Sequence, residues 1–202
     1  MDANILVLGA DNVGKSALIV RFLTRRFIGE YGDLEFLYTH SVIMDGREQT
    51  LNVWDAPYTQ QDLSSETMLC EKRLQWADGL LLVYSICDRA SFNVVSKLVQ
   101  AIKTTKQLLG FEKIPMVIVG NKRDLHHQRI VLSEEGRMLA LSADCQFYEV
   151  SAADNYHSVL GVFHGLLDRI RESRVSVKKL PGIKGIVKSM SAVFNRRRTD
   201  SL

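Results

Sequence analysis

Short apolar runs alternate along this chain with longer amphipathic stretches of helical period. The runs are rich in aliphatic and aromatic residues, and five of them predict strands: Ile5–Leu8, Leu51–Trp54, Leu80–Ile86, Met116–Val119 and Phe147–Val150. Because these runs are nearly continuous rather than alternating, they indicate strands that are buried on both faces. Such strands are typical of a largely parallel sheet with helices on either side.

The stretches between the runs predict helices, because apolar residues recur in them every three or four positions. The predicted helices are Lys15–Arg25, about Glu66–Trp76, Ser91–Leu109, Ser133–Ser142 and Tyr156–Arg171. The pair Asp45-Gly46 separates two strand-like segments, Phe36–Met44 and Glu48–Val53, and predicts a two-residue hairpin with one antiparallel strand. We therefore expect a three-layer α/β fold with a mostly parallel sheet.

The composition is that of an ordinary soluble domain, since 46% of the 202 residues are hydrophobic and 24% are charged. No apolar run approaches the roughly 18 residues that a membrane-spanning helix needs. The three cysteines lie far apart and form no C-x-x-C motif, which is typical of reduced thiols in the cytosol. We expect a monomeric cytoplasmic protein with one folded domain at residues 1–173.

The segment from Gly9 to Ser16 matches the pattern G-x-x-x-x-G-K-[ST] and lies between a predicted strand and a predicted helix. Phosphates are bound by converging backbone N–H groups at the positive end of a helix, and glycines allow the close approach. Lys15 adds a charge for the β- and γ-phosphates and is a candidate catalytic residue, while the Ser16 hydroxyl is a ligand for Mg²⁺. The alternative is a glycine turn that only caps a helix. The predicted phosphate-binding residues are Gly9, Ala10, Asp11, Asn12, Val13, Gly14, Lys15, Ser16 and Ala17.

A second motif, Asn121-Lys122-Arg123-Asp124, directly follows a predicted strand, where α/β sheets bind ligands. Guanine presents N1–H and N2–H₂ donors that one carboxylate accepts as a pair, and adenine has no such pair. Asp124 is therefore the residue that selects guanine, with Asn121 on the Hoogsteen edge and the Lys122 stem over the base. Ser151-Ala152 follows the last predicted strand and offers N–H groups to the guanine oxygen. The alternative interpretation of these residues is ordinary polarity of a solvated loop.

With these motifs in this order, the chain resembles the Ras superfamily of small GTPases across about residues 4–172. The segments Arg21–Tyr31 and Gln75–Gly79 resemble the branch that contains the Ras-related oestrogen-regulated growth inhibitor and its Ras-like relatives. The resemblance implies a phosphate-loop nucleoside-triphosphatase (NTPase) fold with a six-stranded sheet, and binding of GTP or GDP with Mg²⁺. It also implies that Phe27 stacks edge-on against the guanine. Asp55 would be the carboxylate that supports the Mg²⁺ site from behind the direct ligands, of which the Ser16 hydroxyl is one.

The sequence departs from that family where hydrolysis is catalysed. Asp11 stands where typical hydrolysing members have glycine, so that a carboxylate points toward the phosphates. The family motif D-x-x-G-Q-E becomes Asp55-Ala56-Pro57-Tyr58-Thr59-Gln60, which replaces the glycine at the γ-phosphate by Tyr58 and the glutamine that orients the water by Thr59. Gln60 is the candidate catalytic residue that would have to replace it, with Gln61 as the alternative.

The first switch segment is also unusual, because residues 32–37 lack the threonine that closes over Mg²⁺ in the family, and Thr39 comes too late. Two hypotheses follow from these departures. The chain is a GTPase switch with slow hydrolysis, or it is a pseudo-GTPase interaction module that binds nucleotide without efficient hydrolysis or switching. The sequence does not identify its effectors or regulatory proteins.

Residues 174–202 form a basic tail with eight basic residues and one acidic residue, so that their net charge is +7 against −4 for residues 1–173. Beyond a predicted linker at residues 172–182, apolar residues at helical spacing predict a short amphipathic helix. Three interpretations remain open: a solvated tail, weak contact with an anionic membrane or a nucleic acid, and docking to a protein. No cysteine follows Cys145, so we expect no prenyl anchor and at most transient membrane association.

Overall fold

The computed structural model describes residues 2–28, 36–44, 46–57, 68–109 and 114–179. Its centre is a six-stranded sheet of β1 (Ala3–Leu8), β2 (Phe36–Met44), β3 (Arg47–Asp55), β4 (Gly79–Ser85), β5 (Met116–Asn121) and β6 (Gln146–Glu149). The strands lie in the order β2-β3-β1-β4-β5-β6, and all neighbours are parallel except β2 and β3. The predicted mostly parallel sheet with one antiparallel strand is therefore confirmed.

Helices cover both faces of the sheet and complete the three layers. They are α1 (Lys15–Thr24), α2 (Met68–Trp76), α3 (Arg89–Leu109), α4 (Ser133–Ser142) and α5 (Tyr156–Lys179), with a 3-10 segment at Arg123–Gln128. Helices α1 and α5 pack on one face, where Ile5 and Val7 of β1 point, and α2, α3 and α4 pack on the other face with Leu6. Every residue of β4 and β5 is buried, which explains why their sequences are almost continuously apolar.

The two tryptophans of the chain pack against each other and against the core. Trp54 on β3 and Trp76 at the end of α2 lie edge to face, with their ring centroids 5.2 Å apart, against the core on the α2 side. The hairpin between β2 and β3 has Met44 opposite Arg47, as a two-residue connection requires. Among the helices that the structure describes, none combines the length and the apolar composition needed to cross a membrane.

Helix α5 is longer than predicted, because it continues from the expected end at Arg171 to Lys179. The first eight residues of the predicted linker at 172–182 are therefore helical. No proline or glycine precedes Pro181 in this stretch, so nothing in the local sequence ends the helix earlier. Tertiary contacts hold the extension as well, because the Arg174 guanidinium bonds the Asp78 carboxylate at 2.6 Å and the Asp2 carbonyl oxygen at 3.0 Å.

Candidate functional site

The predicted site residues come together at one edge of the sheet. Because β1, β3, β5 and β6 run in the same direction, the segments that follow them meet beyond their carboxyl ends. The phosphate loop follows β1, Asp55 ends β3, Asn121 ends β5, and Ser151 follows β6. The topology thus gathers four segments that are far apart in the sequence.

The two glycines of the phosphate loop are required by its backbone path. Gly9 has φ 150° and Gly14 has φ 93°. Residues with a Cβ atom disfavour such positive φ angles. A Cβ at Gly9 would overlap the Val83 carbonyl oxygen of β4, and a Cβ at Gly14 would overlap Nδ2 of Asn121. The loop therefore lies directly against β4 and against the base motif, with no room for a larger residue.

Lys15 begins helix α1 and folds back over the phosphate loop. Only 8% of this residue is exposed, and its Nζ donates hydrogen bonds of 2.9 Å to the carbonyl oxygens of Gly9 and Ala10. The ammonium group is thus fixed at the helix N-terminus, where the backbone N–H groups carry partial positive charge. Within the same loop Asp11 and Asn12 are exposed, while Val13 and Ala17 are buried in the core.

Ser16 and Asp55 form a pair of oxygen ligands next to the loop. The Ser16 hydroxyl donates a hydrogen bond of 2.5 Å to Oδ2 of Asp55. Burial raises the pKa of Asp55 above its usual value, although the Ser16 hydrogen bond and the charge of Lys15 act in the opposite direction. Hydroxyl and carboxylate oxygens are ligands that Mg²⁺ prefers, so this pair fits the ion. The glycine cradle and the fixed ammonium of Lys15 likewise fit a polyphosphate.

Asn121 connects the phosphate loop to the other binding loop. Its side chain is buried, with Nδ2 donating to the Val13 carbonyl oxygen at 2.9 Å and Oδ1 accepting from the Ala152 N–H at 3.2 Å. The sequence motif suggested a role for Asn121 at the edge of the base, and it missed this connection. Val13 and Asn121 are 108 positions apart, so no local pattern could have paired them.

The remaining base-motif residues are arranged around the same loops. Lys122 Nζ donates to the Asn12 carbonyl oxygen at 2.6 Å, which places the Lys122 stem between the two loops. The Ser151 hydroxyl donates to Oδ1 of Asp124 at 2.6 Å and itself accepts the N–H groups of Ala153 and Asp154. Asp124 is exposed, whereas Ser151 is buried. The carboxylate is thus oriented from behind and reaches the surface.

Of the two remaining candidates, Phe27 lies within the described residues and Gln60 does not. Phe27 lies just beyond α1 and is 45% exposed, a high fraction for a phenylalanine. Gln60 lies outside the described residues, as do Tyr58, Thr59, Gln61 and residues 29–35. Among the described residues no group of three or more His, Cys, Asp or Glu side chains forms a cluster that could hold a metal ion.

The fold and this arrangement define a class, the small nucleotide-binding domains with a phosphate loop after the first strand. Comparison with known families matches residues 4–172 to the Ras family. The chain therefore belongs to the Ras family of small GTPases.

Individual relatives agree with that assignment. The chain is 38% identical to the Ras-related and estrogen-regulated growth inhibitor-like protein of Bos taurus over 202 residues, which is 98% of each chain. It is 41% identical over 165 residues to Ras-like protein family member 11B of Danio rerio, covering 80% of this chain and 66% of that protein. It is 42% identical over 173 residues to Ras-like protein family member 11A of Rattus norvegicus, covering 84% of this chain and 70% of that protein.

Proposed function

We propose that this chain binds GDP and GTP with Mg²⁺ at the carboxyl edge of its sheet and acts as a slowly hydrolysing regulatory switch. The observation that carries the proposal is the buried side chain of Asn121, which bonds both the phosphate loop at Val13 and the Ser151-Ala152 loop at Ala152. Through this one residue the phosphate-binding and base-binding segments have a fixed relative position. A rigid arrangement of this kind favours a ligand that carries a base and a polyphosphate together.

Each residue of the site has a role in that proposal. GTP supplies the transferable phosphoryl group, and Mg²⁺ would neutralise charge on its oxygens. Lys15 and the phosphate-loop N–H groups hold the β- and γ-phosphates, and Ser16 and Asp55 hold the ion. At the other end, Asp124 accepts the guanine N1–H and N2–H₂ groups, while the Ala152 N–H lies beside the guanine oxygen. Lys122 and Phe27 cover the two sides of the base.

Slow hydrolysis is the part of the proposal that rests on Asp11. Its exposed carboxylate lies in the phosphate loop four positions before Lys15. Negative charge develops on the phosphoryl oxygens during transfer, so a carboxylate there opposes the reaction and obstructs an arginine supplied by a partner protein. The replacement of the usual Gly and Gln by Tyr58 and Thr59 acts in the same direction.

A second candidate function is that of a pseudo-GTPase, an interaction module that keeps its nucleotide and engages partners in one state. The same three residues, Asp11, Tyr58 and Thr59, favour it. The two candidates differ in whether any turnover occurs. A slow switch converts bound GTP to GDP, whereas an interaction module leaves it unchanged.

One preparation tests both candidates. The full chain is purified in Mg²⁺, its bound nucleotide is released by denaturation and identified by chromatography, and the protein is then loaded with GTP for a single-turnover assay. We expect guanine nucleotide at close to one per chain, and cleavage slower than the ~4 × 10⁻⁴ s⁻¹ of unassisted Ras-type turnover. ATP or ADP in place of guanine nucleotide would disprove the binding proposal, and cleavage at or above that rate would disprove slow hydrolysis.

A further inference from the structure

An ion pair behind the base-binding loop is not used by the site described above. Arg129 follows the 3-10 segment Arg123–Gln128 that begins in the base motif, and Glu149 ends strand β6. Their side chains form a salt bridge between Nη2 of Arg129 and Oε1 of Glu149, in which they are 24% and 13% exposed. Arg129 Nη1 also donates to the Val131 carbonyl oxygen at 3.1 Å.

We propose that the Arg129–Glu149 pair is a positioning device for guanine recognition, which holds the base motif so that Asp124 reaches the N1–H and N2–H₂ edge of the base. The inference rests on the proposed function, because it assigns residues that act through Asp124 in the same site. Arg129 and Glu149 are 20 positions apart in the sequence, so the fold brings the pair together.

The base-binding loop lacks the apolar packing that usually fixes a segment. No residue of Arg123–Gln128 is buried, so its position depends on polar contacts. Cys87 supplies one of them from its Sγ to the Leu125 carbonyl oxygen at 3.6 Å, and three consecutive residues, Glu149 at the end of β6 and the two after it, supply others. Glu149 binds Arg129, the Val150 carbonyl oxygen accepts the Arg123 N–H at 3.1 Å, and Ser151 bonds Asp124. The end of β6 therefore supports the loop near both of its ends, at Arg123-Asp124 and at Arg129.

The Glu149 side chain also lies near a second hydrogen-bond donor, the buried hydroxyl of Tyr84. The place where a Cβ of Gly120 would stand lies 2.9 Å from the Tyr84 hydroxyl oxygen and 3.4 Å from Cγ of Glu149. Tyr84 is fully buried, and within the part of the chain that the structure describes its hydroxyl has no hydrogen-bond partner. Burial and the nearby Glu149 charge raise the pKa of Tyr84. Without Arg129, Tyr84 is a competing donor for Glu149.

The test compares binding of GDP with binding of IDP, whose base lacks only the N2 amino group that Asp124 recognises. Dissociation constants for both are measured in Mg²⁺ on the full chain and on Arg129→Met. We expect the affinity for GDP to fall about tenfold more than that for IDP, because Asp124 accepts two hydrogen bonds from guanine and only the N1–H bond from the base of IDP. The preference for GDP over IDP should therefore fall by about the same factor.

Two further variants separate positioning from a general loss of stability. Glu149→Gln keeps the shape of the side chain and removes its charge, and should lower the GDP preference in the same direction. It also decides the question if Arg129→Met does not fold. Arg174→Met removes an ion pair of similar exposure, with Asp78, at the opposite end of the sheet, and should leave the preference unchanged.

The results distinguish failure of this inference from failure of the proposed function. If the natural chain prefers GDP over both IDP and ADP, but neither Arg129→Met nor Glu149→Gln changes the GDP-to-IDP ratio, the pair has only a structural role and the inference is wrong. An equal loss of affinity for both nucleotides has the same meaning. If the natural chain shows no preference for GDP, both the inference and the proposed function are overturned.

Discussion

Three carboxylates of the site differ in their surroundings, and the surroundings decide what each can do. Asp55 is buried beside Ser16, and its raised pKa means that protons compete with Mg²⁺ for its oxygens as the pH falls. Asp124 is exposed and oriented by Ser151, as a carboxylate that accepts two donors from a ligand must be. Asp11 is exposed in the phosphate loop, where a negative charge opposes phosphate binding and transfer.

The first residue-scale prediction concerns the choice of base. Asp124→Asn should lose the preference for guanine and gain one for xanthine, because xanthine has an oxygen where guanine has the N2 amino group and the new amide can donate to it. The hydrogen bond from Ser151 survives, since the amide oxygen accepts it. The affinities for GDP and XDP should each change about tenfold or more, in opposite directions. Competition binding with GDP, XDP and ADP measures this, and unchanged GDP binding would contradict the role of Asp124.

The second residue-scale prediction concerns the rate of GTP hydrolysis. Asp11→Gly removes the carboxylate and should raise the single-turnover rate by about tenfold, less than the ~10²–10³ that a buried charge-stabilising contact is worth, because the exposed carboxylate is screened by solvent. Asp11→Asn is the matched variant, because it removes the charge and keeps the size. If Asp11→Asn accelerates cleavage as much as Asp11→Gly, charge repulsion by Asp11 slows hydrolysis. If only Asp11→Gly accelerates it, the size of the Asp11 side chain slows hydrolysis. No acceleration in either variant would show that Asp11 does not limit hydrolysis.

At the scale of elements, a glycine in α4 and a glycine in α5 have different surroundings. Gly136 in the first turn of α4 lies against β4 and β6, and a Cβ there would stand 2.5 Å from both a Phe147 ring carbon and the Tyr84 hydroxyl oxygen. Gly161 on α5 has open space around it, with nothing within 4 Å of a built Cβ. Helix α4 is therefore packed closely against the sheet at Gly136, whereas α5 has space for a side chain at Gly161.

The two glycines should respond oppositely to the same substitution. Gly136→Ala should destabilise the protein by about 1–3 kcal/mol, because the buried Tyr84 and the half-buried Phe147 must move to admit the methyl group. Gly161→Ala should stabilise it by about 0.5–1 kcal/mol, since alanine favours a helix and nothing obstructs it. The free energy of unfolding from urea titration measures both. Equal effects at the two positions would mean that α4 is not packed as closely as described.

For the whole molecule, we expect nucleotide binding and folding to be coupled, because the proposed site exists only when β1, β3, β5 and β6 are aligned. A ligand at 100 times its dissociation constant stabilises the folded state by about 2.7 kcal/mol. For a domain of this size we expect GDP with Mg²⁺ to raise the melting temperature by about 5–10 °C. Removing Mg²⁺ with a chelator should reverse most of the shift.

Differential scanning fluorimetry measures that shift, and ADP at the same concentration is the control. Asp124→Asn should lose the shift with GDP while the unliganded protein melts as before, because its carboxylate is exposed and the Ser151 hydrogen bond is retained. An equal shift with ADP would mean that phosphate binding alone stabilises the chain. In that case the base motif would contribute no specificity.

Much of the fold follows from local patterns. The apolar runs of β4 and β5, the helical periods and the Asp45-Gly46 hairpin each depend on residues within a few positions of one another, and local sequence describes such features well. Helix α5 runs past its predicted end because no proline or glycine precedes Pro181 there, and the contact of Arg174 with Asp78, nearly a hundred positions earlier, adds a tertiary support that local sequence does not reveal. Of the site, the phosphate and base motifs were recognisable because each is contiguous.

The sequence by itself determined the kind of chemistry: a glycine loop with a lysine for phosphates, and a carboxylate after a buried strand for a guanine base. Only the tertiary structure decided that Asn121 joins Val13 to Ala152 and that the end of β6 supports the base loop through Glu149. The physical reason is that these contacts depend on the order of parallel strands in the sheet. That order brings together residues 20 to 108 positions apart, and it is set by packing of the whole core rather than by any local preference.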